Sequence, residues 1–396
     1  MNDIKITFVF LRIVLFLIFL AAGYFLSKSE TNKQYWKIAL FPIIAFAIIS
    51  GLRFGREVDY NVYYNIYTFG VREGEEFLFA WLIDIFNSFG IPYFVFVLFC
   101  STFLIISFLY VLSKFKAASF FILPLFLCNI DSFENLIRWY LAFSFVLIAL
   151  GYLLDKRYYM AVCLSIASYF IHEGMAIIVP LIAIFYIFTN KKILIHPIIT
   201  IMLFVTALIL SSVEYLQQLG LLLNYFDFGF LSDRGEDYIS KIDDITSGEF
   251  GTVGVLERSI FKNIRLFVCY AFPLYFGAKY FKRIEIENEF PKIIWLYNLA
   301  VLSIIIMPLF SLVELFNRIS EALMNLSLVV VGITIFISHQ QRDFNKIAYR
   351  WLLISFLFLL YPVVKTPFDR TENHEMLFIW DADGRESLPI EYFDRD

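Results

Sequence analysis

The sequence predicts an all-α integral membrane protein whose helices cross a lipid bilayer many times. Hydrophobic residues make up 60% of the 396 residues and charged residues only 17%, whereas a soluble domain is about 45–50% apolar and about 25% charged. The apolar residues are gathered in runs that approach the about 20 residues a helix needs to cross the hydrocarbon core. This composition excludes a disordered chain, a basic nucleic-acid-binding domain and a disulfide-rich secreted scaffold.

We expect about twelve membrane spans, within a range of about eleven to fourteen, because some runs are short enough to be tilted or broken. The spans cover residues 6–26, 36–52, 91–112, 118–130, 138–154, 158–171, 174–188, 194–211, 259–276, 293–312, 319–338 and 351–364. They form a polytopic helix bundle. Residues 1–364 are therefore predicted to be a single transmembrane domain, followed by a polar C-terminal tail, residues 365–396.

Basic residues gather in every second loop, as at Lys114 and Lys116 and again at Lys156 and Arg157. Short loops rich in Lys and Arg stay on the cytoplasmic side, so these loops are predicted to be cytoplasmic and the acidic loops between them to face outward. Two outward loops are long, residues 53–90 and 213–258.

Each long outward loop has its own pattern. From Phe77 onward, the first loop has apolar residues at helical spacing and predicts an extracytoplasmic helix that lies at the membrane interface. The second loop is acidic and punctuated by glycine, which is typical of a mobile loop or lid.

Ionisable side chains at the outward ends of several spans form the predicted site. Such residues are costly near a bilayer, so each one is a functional hypothesis. In chain order they are Arg53, Arg56, Asp59, Glu134, Arg138, His172, Arg265 and Arg318. Guanidinium groups bind phosphate through paired hydrogen bonds, and a histidine accepts a proton from an attacking hydroxyl. The set therefore indicates transfer chemistry on a lipid-linked phosphate.

Five of these residues also have a structural interpretation. Arg53 and Arg56 suit contacts with lipid headgroups, and Arg138 suits snorkelling toward the interface. His172 suits capping of a tight turn, and Asp59 suits a bond to its own backbone. The stripe formed by Tyr60, Tyr63, Tyr64 and Tyr67 is typical of an aromatic membrane belt.

Metal chemistry is not expected from the sequence. It contains no DxD or HExxH motif and no carboxylate cluster at ligand spacing, so a mechanism without metal or cofactor is favoured.

Two segments resemble the EpsG family of bacterial exopolysaccharide proteins, which is related to Wzy-type repeat-unit polymerases. The first is GLRFGREVDYNVYYNIY, residues 51–67, and the second runs from Glu134 to Leu181. The family pattern in the second segment falls on Asn135, Arg138, Ala142, Ala167 and His172. A weaker match places Arg318 within FNRISEALM.

The sequence departs from the family pattern at three places. Trp139 replaces the usual glutamine after the arginine, and Glu173 and Gly174 replace small hydroxyl residues after the histidine. Glu321 and Ala322 replace an aromatic pair. These departures bear on which acceptor is used more than on the phosphate role of Arg138.

The resemblance implies a membrane glycosyltransferase C-like fold and an O-antigen or exopolysaccharide polymerase. Such an enzyme takes a glycan from undecaprenyl diphosphate and joins it to a lipid-linked repeat unit on the periplasmic face of the bacterial inner membrane. Its partners would be these lipid-linked oligosaccharides, membrane lipid and a chain-length regulator, with no nucleic acid.

The resemblance also implies roles for the site residues. Arg138 and Arg318 bind the donor diphosphate, and Arg53 or Arg56 holds a second lipid head. His172 is the predicted base, with Asp59 or Glu134 as second choice. The predicted binding set is completed by Arg265, Tyr60 and Asn135.

Three alternatives stay open. A ligase that moves finished glycan to lipid A core needs the same arginine and histidine groups. A flippase for lipid-linked oligosaccharides predicts charge in the middle of spans, which are mostly apolar here. A membrane acyltransferase would carry its histidines on the cytoplasmic side.

Overall fold

The protein is described by a computed structural model that covers residues 3–55, 57–70, 76–190, 192–211, 260–287, 293–310, 314–342, 345–369 and 377–381. Within these ranges the chain is almost entirely helical. The helices are α1 (Asp3–Ser27), α2 (Asn32–Phe46), α3 (Val58–Phe69), α4 (Phe77–Ser88), α5 (Tyr93–Leu112), α6 (Ser119–Phe126), α7 (Ile130–Asn135), α8 (Ile137–Leu154), α9 (Tyr158–Ile171), α10 (Met175–Phe188), α11 (Pro197–Leu210), α12 (Ile260–Glu287), α13 (Ile293–Phe310), α14 (Glu314–Gln340) and α15 (Lys346–Asp369).

Short irregular elements interrupt this helical pattern. A π-helical turn, Ala47–Gly51, follows α2, and 3₁₀ turns flank α6. Two strands of two residues each, β1 (Arg53–Phe54) and β2 (Leu377–Phe378), pair in antiparallel fashion.

The predicted class, an all-α polytopic membrane protein, is confirmed, since each of the twelve predicted segments coincides with a helix or with a helix and its adjoining turn. By length and composition, seven helical stretches of the described chain suit a membrane crossing. Four shorter apolar helices are α4, α9, α10 and α11. The number of crossings therefore stays a prediction. A helix is present from Phe77 onward, as predicted, and is α4; its place at the membrane interface stays a prediction.

The described residues group into two compact units. The first comprises residues 1–175 and 359–396, and the second residues 176–358. Helix α8 lies at the centre of the first unit and is apolar on nearly all sides, so it packs against α5 and α9 and is largely buried. A helix that is apolar all round belongs in the core of a bundle.

The loops of the first unit meet at two opposite ends. At one end, Lys116 Nζ donates to the carbonyls of Ser29 (3.0 Å) and Glu30 (3.1 Å), and Lys114 pairs with Asp155 at 2.6 Å. These contacts join the first, third and fifth loops, as alternating spans require. The even-numbered loops meet at the other end, where the predicted site residues of this unit lie.

The C-terminal segment joins that same end. Phe378 pairs with Arg53 across the two strands, and the amide of Ile379 donates to the carbonyl of Leu52 at 3.1 Å. Residues 377–381 are thus part of the first unit beside Arg53, although the sequence left the side of the tail open.

The second unit is held by a buried asparagine. The amide nitrogen of Asn298 on α13 donates to the carbonyls of Thr189 (3.1 Å) and Lys192 (2.9 Å), and its amide oxygen accepts from the Leu194 amide (3.1 Å). One side chain therefore fixes the α10–α11 loop to α13.

Candidate functional site

Arg138 lies in the first turn of α8, after a break at Leu136 that separates α7 from α8. Its guanidinium is largely buried and lies over the rings of Tyr63 and Phe79, 5.9 Å and 5.7 Å from their centroids. Nη1 donates to Glu76 Oε2 at 2.5 Å. The arginine is thus held between aromatic rings and a carboxylate, and is not extended into solvent.

Glu76 is the site residue that sequence reasoning missed. It is the N-cap of α4, yet its side chain makes no capping bond to its own helix. The carboxylate instead reaches Arg138, accepts from the Glu173 amide at 3.4 Å and lies 4.0 Å from His172 Nδ1. In the sequence, Glu76 is an acidic residue just before an amphipathic helix. That pattern does not show which distant residues its side chain contacts.

His172 ends α9 in an extended conformation, with φ −155° and ψ 117°. Its Nδ1 accepts a hydrogen bond from the Gly174 amide at 3.1 Å, and its ring meets Trp139 edge to face at 4.8 Å between centroids. Together with Arg138 and Glu76 it forms one cluster, which we call the Arg138 cluster. Two of the predicted site residues, Arg138 and His172, are therefore close together in space.

Two of the departures from the family pattern contact each other in this cluster. A Cβ atom added at Gly174 would lie 2.4 Å from the Trp139 ring. The large ring after the arginine thus requires the glycine after the histidine.

Arg53 is buried, with 1% of its surface exposed. Nη1 donates to the Ser50 carbonyl, Nη2 donates to the Glu134 carbonyl at 2.7 Å, and the guanidinium lies 5.8 Å from the Tyr60 ring centroid. Tyr60 is equally buried. In this arrangement Arg53 ties two backbone segments together and lies against the Tyr60 ring. The roles predicted for Arg53 and Tyr60 in substrate binding stay predictions.

The tyrosine stripe is not a membrane belt in this structure. Tyr60, Tyr63, Tyr64 and Tyr67 are all buried, and they pack on rings of neighbouring helices such as Tyr93. Burial raises the pKa of Tyr67 to about 12, and its hydroxyl donates to the Ile91 carbonyl. The stripe is an aromatic core for the outer loop.

Glu134 belongs to a second, deeper cluster. Arg12 Nη2 pairs with Asp131 at 2.8 Å and with Glu134 at 3.3 Å, and both Arg12 and Glu134 are buried. Carboxylate oxygens of Glu57, Asp131 and Glu134 lie within 4.8 Å of one another. These residues approach in space from separate segments, so a search for carboxylates at ligand spacing along the sequence does not find them.

This carboxylate cluster has a donor set that suits a hard divalent cation. The Arg12 guanidinium, however, already neutralises two of its three members. The arrangement fits a buried ion-pair network at least as well as a cation site.

The remaining predicted residues are spread over the chain. The Asp59 amide donates to Asn135 Oδ1 at 3.1 Å, so Asn135 fixes the start of α3. Arg265 on α12 and Arg318 on α14 are half-buried in the second unit, and their placement beside Arg138 stays a prediction. Arg56 and the predicted lid, residues 213–258, lie outside the described residues.

Comparison with known proteins bears on the family alone. No curated protein and no solved structure matches the chain. A family model described as the EpsG family matches residues 36–376. The matched range contains both resembling segments, the Arg138 cluster and most of the chain, and the protein therefore belongs to the EpsG family.

Proposed function

We propose that this protein, a polysaccharide polymerase-like membrane protein by family, transfers a glycan from undecaprenyl diphosphate to a lipid-linked repeat unit at the outer face of the bacterial inner membrane. The observation that carries the proposal is Arg138, a buried guanidinium at the start of a core helix, which pairs with a carboxylate that itself lies 4.0 Å from a histidine.

Arg138 has the properties of a diphosphate ligand. A guanidinium fork matches phosphate oxygens and stays charged at every relevant pH. The rings of Tyr63 and Phe79 keep water away from it, and a charge in such surroundings acts more strongly than in water. The N-terminus of α8 adds its positive end of the helix dipole nearby.

The reaction needs a positively charged group beside the leaving diphosphate and a proton acceptor beside the attacking hydroxyl. The acceptor hydroxyl oxygen attacks the anomeric carbon, and the bond from that carbon to the diphosphate oxygen breaks with its electron pair leaving on the diphosphate. Arg138 would stabilise that developing charge. Among the predicted bases, His172 lies in the Arg138 cluster, whereas Glu134 is fully buried and paired with Arg12.

We infer that the reaction does not depend on a divalent cation, since a guanidinium can supply the charge that a metal supplies elsewhere. Chelation tests this separately from the role of Arg138. The carboxylate cluster of Glu57, Asp131 and Glu134 is where a cation would act if chelation stopped the reaction.

The experiment is extension of a synthetic lipid-diphosphate repeat unit by the purified protein in EDTA, followed as a glycan ladder. We expect a ladder from the wild type and a loss of about 100-fold or more from Arg138→Ala. The matched control is Arg157→Ala, an exposed arginine near the other end of α8, which should leave the ladder unchanged. Absence of a wild-type ladder on the cognate unit, with lipid transport intact in proteoliposomes, would favour the flippase.

A further inference from the structure

We propose that Glu76 is the general base that takes the proton of the acceptor hydroxyl, and that His172 donates a hydrogen bond in the same site. This inference rests on the proposed function, because it assigns the proton in that reaction.

The Glu76 carboxylate lies against Arg138 and makes no capping bond to its own helix. An N-cap side chain ordinarily bonds to the first amides of its own helix, but that of Glu76 makes no such bond. It points to Arg138, at 2.5 Å, and accepts from the Glu173 amide at 3.4 Å. The Glu76 side chain is 19% exposed. The carboxylate therefore lies next to Arg138, the predicted diphosphate ligand, and is also accessible to solvent.

The hydrogen bond at Nδ1 of His172 indicates which ring nitrogen carries the proton. Its Nδ1 accepts a hydrogen bond from the Gly174 amide, so in the neutral ring the proton lies on Nε2. The basic lone pair of the neutral ring, on Nδ1, is then already engaged by the Gly174 amide, which makes it a poor acceptor for the proton of a substrate hydroxyl. In this geometry His172 offers an N–H to an oxygen anion, which suits a phosphate oxygen.

Two other carboxylates near this end are paired with a different arginine. Asp131 and Glu134 both pair with Arg12. Glu134 is in addition fully buried. Neither has the combination of exposure and contact with Arg138 that Glu76 has.

Binding of the donor diphosphate would make the Glu76 carboxylate a stronger proton acceptor. Without substrate, the Arg138 guanidinium holds the Glu76 carboxylate and makes it a weak proton acceptor. A donor diphosphate competes for the same guanidinium and brings negative charge beside Glu76, which raises the proton affinity of the carboxylate. The acceptor hydroxyl then gives its proton to Glu76 as its oxygen bonds to the anomeric carbon and the diphosphate leaves.

The test compares amide substitutions that keep size and shape. Glu76→Gln keeps an oxygen that accepts from the Glu173 amide but cannot take a proton, so we expect turnover to fall about 10²- to 10⁴-fold. Because the competing carboxylate charge is gone, this variant should bind the lipid-diphosphate donor at least as tightly as the wild type. His172→Gln keeps an N–H donor, and we expect it to retain turnover within about tenfold, unlike His172→Ala.

Asp84→Asn, an exposed acid on the same helix as the Glu76 cap, is the matched control and should behave as the wild type. Glu76→Gly with added formate supplies a carboxylate without the side chain, and we expect it to recover activity that the variant alone lacks. A purely structural role for Glu76 would show no such rescue.

Three results would overturn the inference. They are Glu76→Gln turnover within threefold of the wild type, failure of formate to rescue Glu76→Gly, and a His172→Gln variant as inactive as His172→Ala. Each requires a wild-type ladder, so they differ from failure of the proposed function, in which the wild type itself makes no ladder.

Discussion

Trp139 and Gly174 show how two unusual residues can preserve one site. Each replaces the residue that the EpsG family pattern has, and in the structure the Trp139 ring occupies the space where a Gly174 side chain would begin. The same ring packs on His172. The orientation of the histidine therefore depends on a pair of positions that are 35 residues apart in sequence.

The contact between Trp139 and Gly174 predicts that the effects of substitutions at these two positions on stability depend on each other. Gly174→Ser forces a side chain into the Trp139 ring, and we expect a loss of about 1–3 kcal/mol in stability, together with lower polymerisation. Adding Trp139→Gln removes the obstacle, so the double variant should recover most of the loss. Thermal unfolding and ladder assays on the four proteins of the cycle measure this coupling. Additive effects would show that the two positions do not depend on each other.

Arg12 gives a second prediction at this scale. It lies in the first predicted span, residues 6–26, and it pairs with Asp131 and Glu134. Removing one partner of a buried ion pair costs about 3–5 kcal/mol because the remaining charge is left uncompensated. We therefore expect Arg12→Met to lower the unfolding temperature sharply in detergent.

The matched control for Arg12 neutralises the acids as well. A triple variant, Arg12→Met with Asp131→Asn and Glu134→Gln, removes all three charges of the Arg12 ion pairs and should recover much of the lost stability. If Arg12→Met alone melts at the wild-type temperature, the network does not stabilise the fold.

At the scale of elements, the long helices could be predicted and the short pieces could not. Runs of about 20 apolar residues identify spans, and the periodicity after Phe77 identified α4. The strands β1 and β2 contain two residues each, which is too short to show an alternating pattern. The π-helical turn before Arg53 and the break at Leu136 likewise show no periodic sequence pattern. They nevertheless position Arg53 and Arg138 at the end of the first unit where the predicted site residues lie.

The strand pair predicts an effect of truncation. A chain ending at Met376 lacks β2, so β1 loses its partner and Arg53 its neighbour; we expect a lower unfolding temperature and weaker polymerisation. A chain ending at Asp381 keeps the strand and its 3₁₀ turn and is the matched control. Equal behaviour of the two truncations would mean that β2 does not support the site.

For the whole molecule, the class predicted from the sequence is confirmed, and the predicted alternation of loops agrees with contacts in the first unit. Alternating basic loops follow from a rule of membrane insertion, and contacts such as Lys116 with Glu30 bring the odd loops of the first unit together. Which side chains touch across those loops depends on packing between distant segments. Glu76 and Arg12 could not be assigned for that reason, and the buried state of Arg53 and Tyr60 could not be foreseen.

The central claim is that a diphosphate leaves as each sugar bond forms, with Arg138 as its ligand. The most direct measurement is the amount of undecaprenyl diphosphate released per glycosidic bond made, with the purified protein in EDTA. We predict one released for each bond in the wild type and neither product from Arg138→Ala. Glycan growth without release of the lipid diphosphate, or equal release by Arg138→Ala, would contradict the account.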